Sequence, residues 1–264
     1  MKRIYMGTNL KMYKNNQETV SYLKELKEKV AAFRCPELEL FVIPSFTALA
    51  EAVKAAEGAI KIGAQNMYWE DAGEYTGEIS PKMLKAIGVD LIEIGHSERR
   101  HKFGESNFDV NRKVLAALRY GFTPLICVGE TAADKEYRIT NECLREQLKI
   151  GLYGVTGEQA RHVWIAYEPV WAIGVAGKPA TPEYADRSHQ VIKETLAELF
   201  PDCGQEIPVL YGGSVNSQNA TGLMEQPAID GLFIGRAAWE ADSFAAIIKQ
   251  VLAVAQKKSE LTLL

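Results

Sequence analysis

Eight short β-rich runs recur along this 264-residue chain, with longer amphipathic stretches between them. That alternation limits the fold more than any other feature. The runs are IYMGTN (4–9), LELFVI (38–43), IKIGAQN (60–66), DLIEIG (90–95), FTPLICVG (122–129), HVWIAYE (162–168), IPVLYGG (207–213) and DGLFIG (230–235). Within 17–33, Val20, Leu23, Leu26, Val30 and Phe33 fall three and four residues apart, with Lys and Glu between them, which predicts a helix packed by one face. Residues 136–150, 182–199 and 239–255 carry the same pattern. Several runs are apolar on both faces, as parallel strands lying beneath helices are. Eight strand–helix units at this length predict an α/β fold, a closed (β/α)8 barrel forming one domain over residues 1–264. The alternative is an open doubly wound sheet. The glycine-rich dinucleotide fingerprint that usually accompanies it is missing after the first run.

Composition removes several classes of function. Hydrophobic residues make up 47% of the chain and charged residues 24%, an ordinary globular balance. Thirty basic against 34 acidic residues leave a net charge of −4, with no cationic excess to neutralise a nucleic-acid backbone. Pro, Glu or Gly interrupts every apolar stretch before it reaches membrane-spanning length, so neither a membrane nor a nucleic acid is expected as partner. In MKRIYMGTNLKM, Lys11 breaks the apolar core that a signal peptide requires. Cys35, Cys127, Cys143 and Cys203 are scattered without a CxxC pair, which fits reduced thiols in a cytoplasmic protein better than a disulfide framework or a zinc site.

Barrel enzymes carry their chemistry at the C-terminal ends of the strands. The polar residues there are Asn9 and Lys11, Gln65 and Asn66, His96, Glu130, Glu168, Ser214, and Arg236 after Gly235. A lysine, a histidine and carboxylates meeting on one rim suit acid–base chemistry on an anionic ligand. Glu168 closes the apolar run VWIAYE, where partial desolvation favours proton uptake and a general-base role; the ordinary reading is a salt-bridged strand end. His96 stands where a helix opens at Ser97-Glu98, which favours a neutral imidazole able to donate to a carbonyl; the ordinary reading is a hydrogen-bonded loop histidine. Asn9 and Lys11, two apart, fall on one side if the first strand continues. Glu93, inside LIEIG, is out of place on a two-face-buried strand, and a buried ion pair with a neighbouring strand is its ordinary reading. His96 and His101 have the wrong spacing for zinc. GVAGKP has Pro179 where a phosphate-binding loop needs Ser or Thr.

Glycine stretches mark an anion site. YGGSV (211–215) and LFIGRAAW (232–239) place Ser214 and Gly235 at consecutive strand-to-helix junctions, where backbone N–H groups can hold a phosphate. PVWAIGVAGKPATP (169–182) follows Glu168 and reads as a lid that could seal the base from water. The aromatic-rich loop MYWEDAGEYTGEIS (67–80) is expected to bury Tyr68, Trp69 and Tyr75 against a second copy of the chain.

Asn9-Leu10-Lys11-Met12, GAQN (63–66), YTGEIS, GHSERR (95–100), FGES (103–106), CVGE (127–130), AYEPVWAIG (166–174) and YGGSV lie in the same order as in one known family. From end to end the chain resembles the triosephosphate isomerases. The resemblance implies a cytoplasmic, homodimeric isomerase of small sugar phosphates, of the kind that serves glycolysis and gluconeogenesis, working through an enediolate with no metal and no organic cofactor. It implies Glu168 as the base, His96 as the carbonyl-polarising group, Lys11 as a positive charge and Asn9 as its orienting neighbour. Glu98 would hold Lys11, and Gly174, Ser214 and Gly235 would bind phosphate. Thr76 would reach across a dimer contact to support the partner's site.

Three departures from that family's pattern stand out. Leu10 replaces the usual Trp, AIGVAGKPA carries one residue more than the usual lid, and Arg236 replaces a second glycine after Gly235. Arg236 adds a cation to the phosphate turn, where it is expected to help bind phosphate or reshape the pocket. Dihydroxyacetone phosphate and glyceraldehyde 3-phosphate are the expected pair. The alternative is a four-carbon ketose phosphate, interconverting L-erythrulose 1-phosphate and D-erythrulose 4-phosphate. A barrel that binds sugar phosphates without turning them over is the reading from another class, and intact Lys11, His96 and Glu168 speak against it.

Overall fold

In a computed structural model, which describes residues 2–174 and 177–262, eight parallel strands close on themselves in sequence order. They are β1 (Ile4–Asn9), β2 (Leu38–Ile43), β3 (Lys61–Ala64), β4 (Leu91–Ile94), β5 (Thr123–Val128), β6 (Trp164–Tyr167), β7 (Val209–Tyr211) and β8 (Gly231–Ile234). Pairing of Tyr5 with Gly231 and of Met6 with Leu232 closes the ring, so the open doubly wound alternative does not hold.

Side-chain alternation divides the strands between two cores. Outward residues such as Met6, Val42, Ile92, Ile126 and Ile165 pack under the helices. Inward residues Phe41, Ile43, Leu91, Leu125, Cys127, Trp164, Ala166, Leu210 and Phe233 fill the barrel's interior. Apolar runs with little alternation are therefore what this fold requires. Gly7 belongs to the inner set, because a Cβ there would fall 2.0 Å from the Phe41 ring.

Two helical stretches differ from the sequence expectation. The stretch 136–150 divides into Ala132–Glu136 and Thr140–Gly151, separated at Arg138, which adopts φ 63°. The last helix begins at Ala241, because Arg236–Ala238 forms a short 3-10 turn first. The helix expected at 182–199 runs Pro182–Leu199, with Thr181 capping Tyr184 and Pro182 in the first turn, where its missing N–H costs nothing. Among the described residues no helix is long and apolar enough to cross a membrane.

Candidate active site

Glu168 directly follows β6 and is 5% exposed. Its backbone N–H donates to Val128 O at 2.8 Å, which ties it to β5. Among the described residues its Oε2 has no hydrogen-bond partner and lies 3.6 Å from Nε2 of His96. Gly212, on the neighbouring strand end, leaves room for this carboxylate: a Cβ there would come within 2.7 Å of Glu168 Cγ. A buried oxygen without a partner is costly unless a ligand supplies one, which makes this oxygen a candidate contact for a bound ligand.

His96 caps the helix Ser97–Phe103, and its Nδ1 accepts the Glu98 backbone N–H at 3.2 Å. An accepting Nδ1 carries no proton, so the ring is neutral and its N–H is on Nε2, facing Glu168. Two further groups fix the approach to His96. Gly95 N–H donates to Glu105 Oε1 at 3.0 Å, and Arg100 donates to Gly95 O at 2.6 Å and to Cys127 O at 3.1 Å. Glu105 is itself paired with buried Lys113, which also donates to Asn66 Oδ1 at 2.8 Å. Arg100 and Glu105 were visible in the sequence only inside GHSERR and FGES. Lys113 lies in an ordinary helical stretch and gave no signal.

Lys11 reaches the rim in a way the sequence spacing did not suggest. β1 ends at Asn9 and the chain turns, placing Lys11 at φ 52°, in the left-handed region. Two side chains hold that strained residue. Asn9 Oδ1 accepts Lys11 N–H at 2.6 Å, and Gln65 donates to Lys11 O at 2.7 Å. The ammonium then lies 3.1 Å from Glu98 Oε1. Burial raises the Glu98 carboxyl, but the charge and hydrogen bond of Lys11 outweigh it and the net position is below the usual carboxylate range. Leu10 is 1% exposed and belongs to the outer core, so that departure from the family pattern is a packing change.

Glu93 makes no ion pair among the described residues, contrary to its ordinary reading. Its carboxylate accepts from Asn9 Nδ2 at 2.7 Å and from the Cys127 thiol at 3.8 Å. Glu130 is also not a free rim acid. It is fully buried and accepts from the Tyr167 hydroxyl at 3.0 Å and from Trp171 Nε1 and the Tyr184 hydroxyl at 2.8 Å each. It anchors the chain leaving Glu168, and Trp171 rests on Tyr184 and under Lys135.

The anion-binding candidates border the same rim. Gly174 is exposed at φ 85°, while Ser214 and Gly235 are half-buried. Asn219 donates to Ser214 O at 2.9 Å and accepts from Asn216 N–H at 2.8 Å, which shapes the turn. Arg236 is exposed, and among the described residues no carboxylate lies within ion-pair distance of it. The extra lid residue falls at Val175 and Ala176, which lie outside the described residues.

Tyr68 stacks on Trp69 at 4.1 Å and meets Tyr75 at 4.5 Å, so the aromatic loop covers part of itself; Thr76 is exposed. The barrel's opposite mouth holds a cavity of about 370 Å³ lined by Arg3, Lys61 and Arg161. Those cations are already paired with Glu39 and Glu206. Among the described residues no cluster of His, Cys, Asp or Glu could hold a metal ion.

A family model described as triosephosphate isomerase matches residues 4–251. The chain is 46% identical to the L-erythrulose-1-phosphate isomerase of Rhizobium etli, over 97% of this chain and 95% of the other. It is 45% identical to the triosephosphate isomerase of Fusobacterium nucleatum, over 94% and 99%. The crystal structure of triosephosphate isomerase from Bartonella henselae superposes with a TM-score of 0.84 at 34% identity, covering 94% of this chain and 98% of that one.

Proposed function

The chain belongs to the triosephosphate isomerase family, and from that membership we propose that its rim residues move a proton between adjacent carbons of a small phosphorylated ketose. The observation that carries this reading is the buried, unpartnered Glu168 Oε2 facing the Nε2–H of a neutral His96 at 3.6 Å. Glu168 removes the proton from the carbon beside the carbonyl. The electron pair of that C–H bond forms the carbon–carbon double bond of an enediolate, and charge builds on the carbonyl oxygen. His96 donates a hydrogen bond to that oxygen, and the Lys11 ammonium offsets the charge. The hydroxyl proton of the carbon that lost its hydrogen passes by way of His96 to the former carbonyl oxygen, and Glu168 returns a proton to the neighbouring carbon as the new carbonyl forms, which completes the isomerisation. Backbone N–H groups at Gly174, Ser214 and Gly235, with Arg236 beside them, hold the phosphate.

L-Erythrulose 1-phosphate and D-erythrulose 4-phosphate are the substrate pair we put first. The 46% identity to the Rhizobium etli isomerase over nearly the whole chain favours them. The second reading is the triose phosphate pair, favoured by the Fusobacterium relative at 45%. The two reactions share their bond changes. In the four-carbon ketose a hydroxymethyl group replaces a hydrogen on the reacting carbon, away from the phosphate. The phosphate turn therefore holds both substrates alike, and the end near Asn9 and Glu168 separates them.

The assembly we propose is a homodimer made through residues 67–80. Met12, Tyr13, Tyr75, Met83 and Phe103 are exposed large apolar side chains following β1, β3 and β4, and a twofold contact would cover such groups. Thr76 would then reach the partner's site. The test of function is kcat/KM measured side by side with L-erythrulose 1-phosphate and dihydroxyacetone phosphate. Turnover of neither by the pure protein would overturn the reading.

A further inference from the structure

Glu93 is 1% exposed and points into the barrel from β4, in the layer just beneath Glu168 and Asn9. The inward positions around it are apolar or nearly so: Ile43, Leu91, Leu125, Cys127 and Ala166. A leucine would fill this place without cost, whereas a buried carboxyl must be compensated. The compensation comes mainly from one residue of the proposed site. Asn9 donates its Nδ2 to Glu93 Oε2 at 2.7 Å, and the Cys127 thiol is a weaker second donor.

That bond decides how Asn9 stands. The Asn9 oxygen is occupied by Lys11 N–H at 2.6 Å and by Gln65 Nε2 at 3.2 Å. Its amide nitrogen is left to Glu93, so each end of the carboxamide is assigned. Asn9 in turn holds the left-handed backbone of Lys11, from which the ammonium extends to Glu98. A chain of contacts thus runs from Glu93 through Asn9 to the charge at the rim. Burial raises the Glu93 carboxyl and Glu168 raises it again, with the Asn9 hydrogen bond and the Lys11 charge lowering it, leaving it at about 7. A proton held there near neutrality spares Glu168 a second full charge at close range.

We propose that Glu93 is a positioning residue for the isomerisation, its carboxyl fixing the Asn9 amide and, through it, the turn that presents the Lys11 ammonium. The proposal rests on the isomerase reading above, and its test separates the two. Wild type, Glu93→Gln, Glu93→Leu, Asn9→Ala and the Asn9→Ala/Glu93→Leu double variant are assayed with both ketose phosphates. A wild type inactive on both overturns the isomerase reading; an active wild type leaves Glu93 to be judged by its variants. Glu93→Gln keeps an acceptor toward Asn9 and is expected to hold kcat within about threefold. Glu93→Leu is expected to lose about tenfold or more in kcat while its thermal midpoint is unchanged or higher. In the double variant the loss is expected to be no greater than in Asn9→Ala alone, because Glu93 acts through Asn9. If Glu93→Leu does not fold, Glu93→Asp, which withdraws the carboxyl by one methylene, takes its place in the same cycle. A Glu93→Leu enzyme within about twofold of wild type, or losses that multiply in the double variant, would overturn the proposal.

Discussion

His96 presents Nε2 to Glu168 Oε2 at 3.6 Å because its other nitrogen is already committed to the Glu98 backbone N–H. One backbone hydrogen bond therefore selects the tautomer, the tautomer directs a donor into the site, and among the described residues the Glu168 oxygen opposite has no hydrogen-bond partner. The arrangement depends on position at the scale of a methylene group. Glu168→Asp retracts the carboxylate by that amount, and turnover is expected to fall ~100-fold or more. The far-ultraviolet circular dichroism should not change. A variant within a factor of a few of wild type would place the base elsewhere.

Gly212 offers the same test from outside the proposed base. A methyl at this position meets Glu168 Cγ at 2.7 Å and its Oε1 at 3.0 Å. Gly212→Ala is therefore expected to displace the carboxylate and lower kcat by about tenfold to 100-fold, with KM affected less. Full activity in that variant would mean that Glu168 adopts another position during catalysis.

Arg236 is exposed and lacks an acidic partner among the described residues, which leaves its charge available to a phosphate. A charge-assisted contact contributes about 1.5–3 kcal/mol, so Arg236→Gly should raise KM by about tenfold to 150-fold. The rise should be equal for three- and four-carbon ketoses, since they share the phosphate end. It should be matched by weaker inhibition by inorganic phosphate. Unchanged constants would make Arg236 a solvated surface residue.

Two buried groups oppose each other in acid. His189 is fully buried, its Nδ1–H donates to Ala228 O at 3.3 Å, and burial lowers its pKa to about 4. Between pH 6.5 and 4 the unfolded chain binds the proton and the folded one does not, so this residue costs stability as pH falls, by about 3 kcal/mol over the window. Glu93, raised to about 7, does the reverse: the folded chain binds its proton between about 4.5 and 7, and stability from this group is lost as pH rises. The wild-type unfolding free energy should therefore vary little between pH 4.5 and 6.5. Glu93→Gln should lose stability on acidification, and His189→Gln should gain it. Parallel pH profiles for the two variants would show that these residues do not titrate as placed.

Sedimentation should give a dimer, and Tyr75→Ser with Met83→Ser should shift it toward monomer, because both side chains are exposed in the isolated chain. A wild type that is monomeric and fully active at low concentration would contradict the proposed assembly.

The barrel was legible because several strands are apolar on both faces and every connecting stretch is long enough for a helix. The β1, β2 and helix 182–199 boundaries agree with the pattern, while most of the other strands are shorter than their apolar runs. The runs overreach because apolar residues such as Ile60 and Phe122 are buried beside the strands but lie outside the ladder. Glu168 and His96 could be read as candidates from their positions at strand ends. Lys11 could be read as a candidate but not its path, since a left-handed turn at a non-glycine residue depends on Asn9 and Gln65, the latter 54 residues away. Glu130 misled because a strand-end carboxylate looks the same in sequence whether it faces a substrate or three buried donors. Glu93 could be flagged as odd, but its partner Asn9, 84 residues away, appears only when the barrel closes.

Proton transfer by Glu168 through an enediolate is open to one decisive measurement, the isomerisation of L-erythrulose 1-phosphate and dihydroxyacetone phosphate in heavy water. A proton resting on a carboxylic acid exchanges with solvent, so deuterium is expected in the product of the accepted ketose, on the carbon that received the proton. It is also expected in recovered substrate, with neither signal in Glu168→Gln. Isomerisation that leaves the product free of solvent deuterium would point to direct hydride transfer between the carbons and contradict the account.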